Sequence, residues 1–183
     1  MAADRHDVIR LLRTDDVPTL AELLRRNEEF LAPWQPAREP AYFEAGTQLQ
    51  MSRRELAEHA AGRMVPLVIV DRAGNIAGKL TLSGVTHGAF RSTSLGYWVS
   101  EDRNGQGLAT DAVAAAVAHA FGTLRLHRVQ AETLLHNVAS QRVLLKNGFR
   151  SYGVAEQYLH IAGRWQDHEL FQVLADGEER PRS

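Results

Sequence analysis

The stretch "RNGQGLATDAVAAAVAHAF", Arg103 to Phe121, decides how the chain is read. Gly105 and Gly107 are poor helix formers, whereas the alanine-rich run behind them is close to ideal for a helix. So abrupt a switch predicts a turn that feeds straight into a helix start. There the first N–H groups lack intrahelical acceptors, and the helix dipole adds partial positive charge. Glycines in front of such a terminus let an anion come close to the backbone, so "NGQGLAT" suits a pyrophosphate. It is not a Walker loop, because no Lys-Ser or Lys-Thr follows the glycines. Nor do two glycines satisfy the G-x-G-x-x-G dinucleotide fingerprint. A plain strand-to-helix turn without a ligand is the reading that these residues alone leave open.

Working outward, "STSLGYWVS", Ser92–Ser100, reads as the strand that leads into the turn, and "HRVQAETL", His127–Leu134, alternates as the next one. "NVASQRVLLKNGF", Asn137–Phe149, is a short helix stopped by Asn147 and Gly148. Upstream, "VIRLLR" at Val8–Arg13 is a first strand, with Thr14 as the N-cap of a helix carrying Val17, Leu20, Leu23 and Leu24. Three prolines make Phe30–Pro40 irregular, and a second helix covers about Phe43 to Ala61. Val65–Asp71, the turn at Gly74 and Asn75, and "IAGKLTLSGV" form a hairpin. "YLHIAGRWQDHELFQVL" reads as two strands around Gly163. Helices between some strands and hairpins between others predict an α/β chain with a mixed sheet.

Composition narrows the function. The 183 residues, 44% hydrophobic and 23% charged, suit one globular domain. We place the domain at residues 1–176 and a flexible charged tail at 177–183. With 21 Lys+Arg against 22 Asp+Glu, net charge −1, there is no basic field for nucleic acid. The absence of cysteine removes disulfides, thiolate zinc sites and an acyl-cysteine intermediate. No secretory signal and no apolar run near ~18 residues is present, which predicts a cytoplasmic protein without membrane contact. Asp167 and His168 are adjacent on a strand and point to opposite faces, so they make no chelate, and no metal site is expected.

"GYWVSEDRNGQGLATDA" followed by "HRVQAETLLHNVASQRVLLKNGF" resembles the GCN5-related N-acetyltransferases (GNAT), and within them the RimJ/RimL-like branch that acetylates ribosomal-protein N-termini. The family's R/Q-x-x-G-x-G/A signature is matched by Asn104-Gly105-Gln106-Gly107-Leu108-Ala109, with Asn104 in the slot that usually holds Arg or Gln. "NEEFLAPW" and "GRWQDHELFQ" extend the likeness over nearly the whole chain. The resemblance implies a single mixed, largely antiparallel twisted sheet of roughly six to seven strands, splayed at its centre and flanked by about four helices. It also implies acetyl-CoA as co-substrate, with its pantetheine arm along Leu95 to Ser100 on the backbone groups of Trp98 and Val99. The N–H groups from Gly105 to Ala109 then hold the pyrophosphate, with the Thr110 hydroxyl beside them. The Trp98 side chain itself reads equally as core.

Asn137 is a favoured N-cap, and Ser140 lies three residues on, on the same side of the helix start. The resemblance implies that Asn137 bonds the pantetheine arm and that Ser140 donates to the departing thiolate. Acetyl transfer also needs a polarised carbonyl, which the N–H near Val99 supplies, and a base for the amine. At the position where RimL-like enzymes carry a glutamate base this chain has Leu159. Glu132, His160, Tyr158, Glu101 and a water relay remain as alternatives. Trp34, Tyr97 and Tyr158 are read as acceptor-binding. The expected acceptor is a protein or peptide N-terminus, ribosomal proteins included, or alternatively a small amine such as an antibiotic, polyamine or amino acid. A non-catalytic CoA-sensing module is the third reading. The protein is expected to be a monomer or homodimer.

Overall fold

The computed structural model describes residues 8–175. The expected tail therefore lies outside the described residues, as do positions 1–7 and 176 of the expected domain. The strands are β1 (Ile9–Leu11), β2 (Val65–Val70), β3 (Ile76–Thr86), β4 (Ser92–Val99), β5 (Arg128–Leu134), β6 (Arg150–Ile161) and β7 (Arg164–Leu174). The helices are α1 (Val17–Arg26), the single turn α2 (Glu28–Leu31), α3 (Ala45–Ala60), α4 (Leu108–Gly122) and α5 (Val138–Lys146). All seven strands form one sheet in the order β1-β2-β3-β4-β5-β7-β6. Every neighbouring pair is antiparallel except β4 and β5.

That parallel pair is where the sheet opens. β4 and β5 are in register only at Ser92, Thr93 and Ser94, opposite Arg128, Val129 and Gln130. Beyond Ser94 the two strands part, while β4 stays paired to β3 as far as Val99 opposite Gly78. The sheet therefore opens at its centre, as the resemblance leads one to expect. The close β3–β4 approach depends on Gly78, because a Cβ there would lie 2.2 Å from the Trp98 carbonyl oxygen.

Each face carries its own core. On one, Leu67, Ile69, Leu80, Leu82, Leu95, Val99 and Val129 pack beneath α4 and α5. The alanines explain α4: Ala112, Ala116 and Ala120 are wholly buried, and their small side chains bring the helix close to the strands. On the other face Leu12, Leu20, Val68 and Val70 form a smaller cluster.

Two details differ from the sequence reading. Thr14 opens a short 3-10 turn, and Asp16 instead occupies the N-cap of α1. The Asp16 carboxylate is held there by Arg10 at 2.7 Å and accepts the Arg13 N–H at 2.8 Å. The second correction concerns β6, which starts at Arg150 rather than Tyr158. It is an edge strand, exposed along most of its length, so no burial-driven alternation marks its first half.

Candidate active site

Ser100 fixes the orientation of the open strand edge. Its N–H donates to the Ala77 carbonyl at 2.8 Å, so alternation turns the backbone groups of Trp98 and Gly96 toward β3. Those of Tyr97 and Val99 point the other way, into the opening. This corrects the expectation for Trp98: its backbone is committed to the β3 ladder, and its ring packs beside the Leu12–Val70 cluster.

At the far end of β4 the glycine turn takes the form that the sequence predicts. Gly105 (φ 75°) and Gly107 (φ 81°) are both left-handed, the region that glycine enters without strain, and Gly107 is the N-cap of α4. A Cβ built on either would meet nothing within 4 Å, so open space faces both. The first helical bond is Asp111 N–H to Gly107 O at 3.0 Å. Among the described residues no carbonyl accepts from the N–H groups of Gly105, Gln106, Gly107, Leu108, Ala109 or Thr110. Gln106 closes the turn by donating to the Asp102 carbonyl at 3.2 Å, and Asn104 is exposed. A row of unpartnered N–H groups at the positive end of a helix, with glycine clearance before it, fits a pyrophosphate.

The turn is anchored from the opposite face by Asn27, which sequence reasoning left out. Asn27 is only 3% exposed. Its amide nitrogen donates to Leu23 O at 2.8 Å and Ser100 Oγ at 2.9 Å, while its oxygen accepts the Glu101 N–H at 2.8 Å. Ser100 Oγ also lies 2.6 Å from Asp102 Oδ1.

Where the strands part, α5 supplies its N-terminus. Asn137 Oδ1 accepts the Ser140 N–H at 3.1 Å, so Asn137 caps the helix. Ser140 Oγ lies 2.9 Å from the Tyr97 hydroxyl, a bond that spans the gap between β4 and α5. The sequence reading places Tyr97 with the acceptor, but strand alternation turns its side chain to the α4–α5 face, beside Ser140.

Glu132 lies on the other face, because its neighbours Ala131 and Thr133 fill the α4–α5 side of β5. Burial raises its carboxyl above the usual carboxylate range, and no hydrogen bond to it is found among the described residues. Tyr158 is near enough for the Glu132 charge, after burial, to raise its phenol too. The Tyr158 ring is 5.6 Å from that of His168, which is 4% exposed. His168 Nδ1 sits 3.0 Å from the Gln166 carbonyl and so donates to it. Tyr158 is brought here by a bulge: Ala155 pairs with His168 but Leu159 with Gln166, so three β6 residues oppose one of β7. Gln157 takes φ 46° in that bulge, and its N–H donates to Asp167 at 2.9 Å. Asp167 thus shapes the strand.

His160 is not part of this group. It pairs with Trp165 on the exposed edge, ring centroids 5.5 Å apart, and strand geometry turns it to solvent. Leu159 and Glu101 are exposed as well. Trp34 reaches across to His136, 5.4 Å between rings, next to Asn137. The Ala162 N–H in the β6–β7 turn donates to Gln35 O at 3.0 Å, so the segment after α2 is tied both to this turn and, through Trp34, to His136. Among the described residues no cluster of three or more His, Asp or Glu side chains gathers in a metal-holding group. Nor is any helix among them long and apolar enough to cross a membrane.

The family model described as "Acetyltransferase (GNAT) domain" matches residues 8–150. The chain belongs to the GNAT acetyltransferases. This GNAT chain is 32% identical over 165 residues to the [ribosomal protein uS5]-alanine N-acetyltransferase of Escherichia coli K12, covering 89% of this chain and 84% of that one. Among solved structures it is similar to Mycobacterium smegmatis RimJ in complex with CoA-disulfide, with TM-score 0.88, 35% identity and coverage of 96% and 84%. It also resembles the ribosomal-protein-S5-alanine acetyltransferase of Vibrio fischeri, with TM-score 0.88, 31% identity and 94% coverage of both chains.

Proposed function

We propose that this GNAT chain transfers an acetyl group from acetyl-CoA to the N-terminal α-amine of a protein or peptide, by direct attack of the amine. The observation that carries the reading is the split between β4 and β5, with a turn of open N–H groups at one end and, on its far face, a partly buried carboxylate that takes no hydrogen bond among the described residues. The N–H groups from Gly105 to Thr110 suit the pyrophosphate, and the Tyr97 and Val99 edge suits the amides of the pantetheine arm. Among the described residues the Asn137 amide nitrogen has no hydrogen-bond partner, which leaves it to that arm while its oxygen caps α5. Acetyl-CoA brings an acyl group already activated as a thioester.

The chain's own groups then divide the work. The Val99 N–H donates to the acyl oxygen as negative charge grows there. Glu132 is the base that takes the amine proton, since a carboxylate raised by burial is better matched to an amine than an ordinary one. Tyr158 and His168 line the approach to it. Ser140 faces the departing sulfur. Trp34 and its neighbours wall the acceptor side. The relatives named for ribosomal-protein alanine acetylation support this choice of acceptor.

Calorimetric titration with acetyl-CoA and with CoA tests the first half of the reading. We expect micromolar binding, one ligand per chain. Peptides beginning with Ala or Ser should then gain one acetyl group at the α-amine, located by mass spectrometry. Folded protein that binds neither ligand would overturn the reading, and acetylation of small amines alone would move the acceptor class.

A further inference from the structure

We infer that Tyr97 is a positioning residue for acyl transfer: its phenol donates to Ser140 Oγ and thereby aims the Ser140 hydroxyl proton at the departing sulfur. The inference rests on the acetyl-transfer reading above and concerns how its leaving group is met.

The geometry comes first. The 2.9 Å contact is the sole hydrogen bond found for either hydroxyl among the described residues. Ser140 sits in the first turn of α5, where its own N–H is already committed to Asn137. Its Oγ makes no bond back to a helix carbonyl, the usual partner of a helical serine. Two hydroxyls facing each other admit two arrangements, with either oxygen as donor. A phenol is a stronger acid than an alkanol, and its oxygen lone pair is drawn into the ring. It is therefore the better donor and the poorer acceptor of the two. With Tyr97 donating, the serine proton must point elsewhere, and the direction left to it is the opening between β4 and α5.

Burial keeps the tyrosine in its donor state. Desolvation pushes the Tyr97 phenol up to about 12, the hydrogen bond with Ser140 opposing this in part. Throughout the neutral range the ring is uncharged and holds its proton. Its aromatic body packs among the core residues under α4 and α5, so the hydroxyl is held in one place.

The reaction then balances without ionising either hydroxyl. The amine nitrogen bonds to the acyl carbon and passes its proton to Glu132. The carbon–sulfur bond breaks with its electron pair on sulfur, and the Ser140 O–H donates a hydrogen bond to that thiolate. The thiolate takes its proton from solvent on release. Tyr97 strengthens the Ser140 donor by polarising it, since hydrogen bonds in a chain reinforce one another.

A double-mutant cycle on the whole chain, with acetyl-CoA and an N-terminal Ala or Ser peptide, tests this. Tyr97→Phe keeps the ring and removes the donor. It should lower kcat by about 10-fold, the worth of one neutral hydrogen bond, with calorimetric acetyl-CoA affinity unchanged. Ser140→Ala should lower kcat further, and adding Tyr97→Phe to it should change nothing more, because Tyr97 acts through that oxygen. 3-Fluorotyrosine at position 97, a stronger donor of the same shape, should hold kcat at or above the wild-type value. Additive losses in the double variant, or loss of affinity rather than of kcat, would overturn the inference in favour of a packing role. Full activity of Ser140→Ala would overturn both the serine's assignment and this one. A wild-type chain that binds acetyl-CoA but acetylates no peptide would sink the acceptor reading and the tyrosine's role with it.

Discussion

Gly107 shows how much of a binding site can rest on one missing side chain. Its left-handed φ costs a non-glycine residue about 1 kcal/mol, and no neighbour lies within 4 Å of the Cβ position. Gly107→Glu should therefore fold, but it places bulk and negative charge where we propose that the pyrophosphate binds. We expect CoA affinity to fall by about 100-fold or more in a calorimetric titration, with a native circular dichroism spectrum. Glu132 carries a different signature. A carboxyl raised by burial adds stability below its unfolded pKa and loses that contribution as pH rises through its folded pKa. Glu132→Gln should thus raise Tm at neutral pH, with the gain vanishing in acid. The same change should lower kcat/KM by about 100-fold and remove the rise in rate with pH that lies between the ordinary carboxylate range and the amine's own titration. A Tm gain without loss of rate would assign the base to a water relay. The Gly-x-Gly turn and Glu132 were legible because their residue types state their chemistry locally. The choice of Glu132 over His160 was not, since both sit on strands and only the β6 bulge and the exposed edge separate them.

Between elements, Asn27 joins the α1–α2 corner to the end of β4. Its bonds to Ser100 and Glu101 connect residues more than seventy positions apart, a pairing with no signature in local sequence. That is why "NEEFLAPW" reads only as part of the family likeness until the fold is seen. Asn27→Ala leaves the buried Ser100 hydroxyl and the Glu101 N–H without this partner, at a cost of about 1–3 kcal/mol. The loss should appear as a lower urea midpoint with unchanged m-value. It should also weaken acetyl-CoA binding several-fold, although Asn27 is nowhere on α4, because the strand end that launches the turn is released. An unaltered affinity would mean that the turn holds its own shape. β6 was read half-length for a related reason: an edge strand with little burial lacks the alternation that reveals inner strands.

For the whole molecule, the order of motifs predicted a mixed sheet, while its largely antiparallel character and its opening were expected from family resemblance. What no pattern of residues announces is how short the hinge of that opening is. Three positions of β4, Ser92 to Ser94, are all that match β5 in register. Past them, alternate amides of one strand live in different worlds. Those of Gly96, Trp98 and Ser100 face β3, while those of Tyr97 and Val99 look into the gap. Hydrogen exchange should read this as a striped pattern in the middle of a sheet: slow, fast, slow, fast, slow along five consecutive residues in the free protein. Bound CoA should erase the stripes by slowing the two fast sites alone, so that the strand itself reports when the missing partner has arrived.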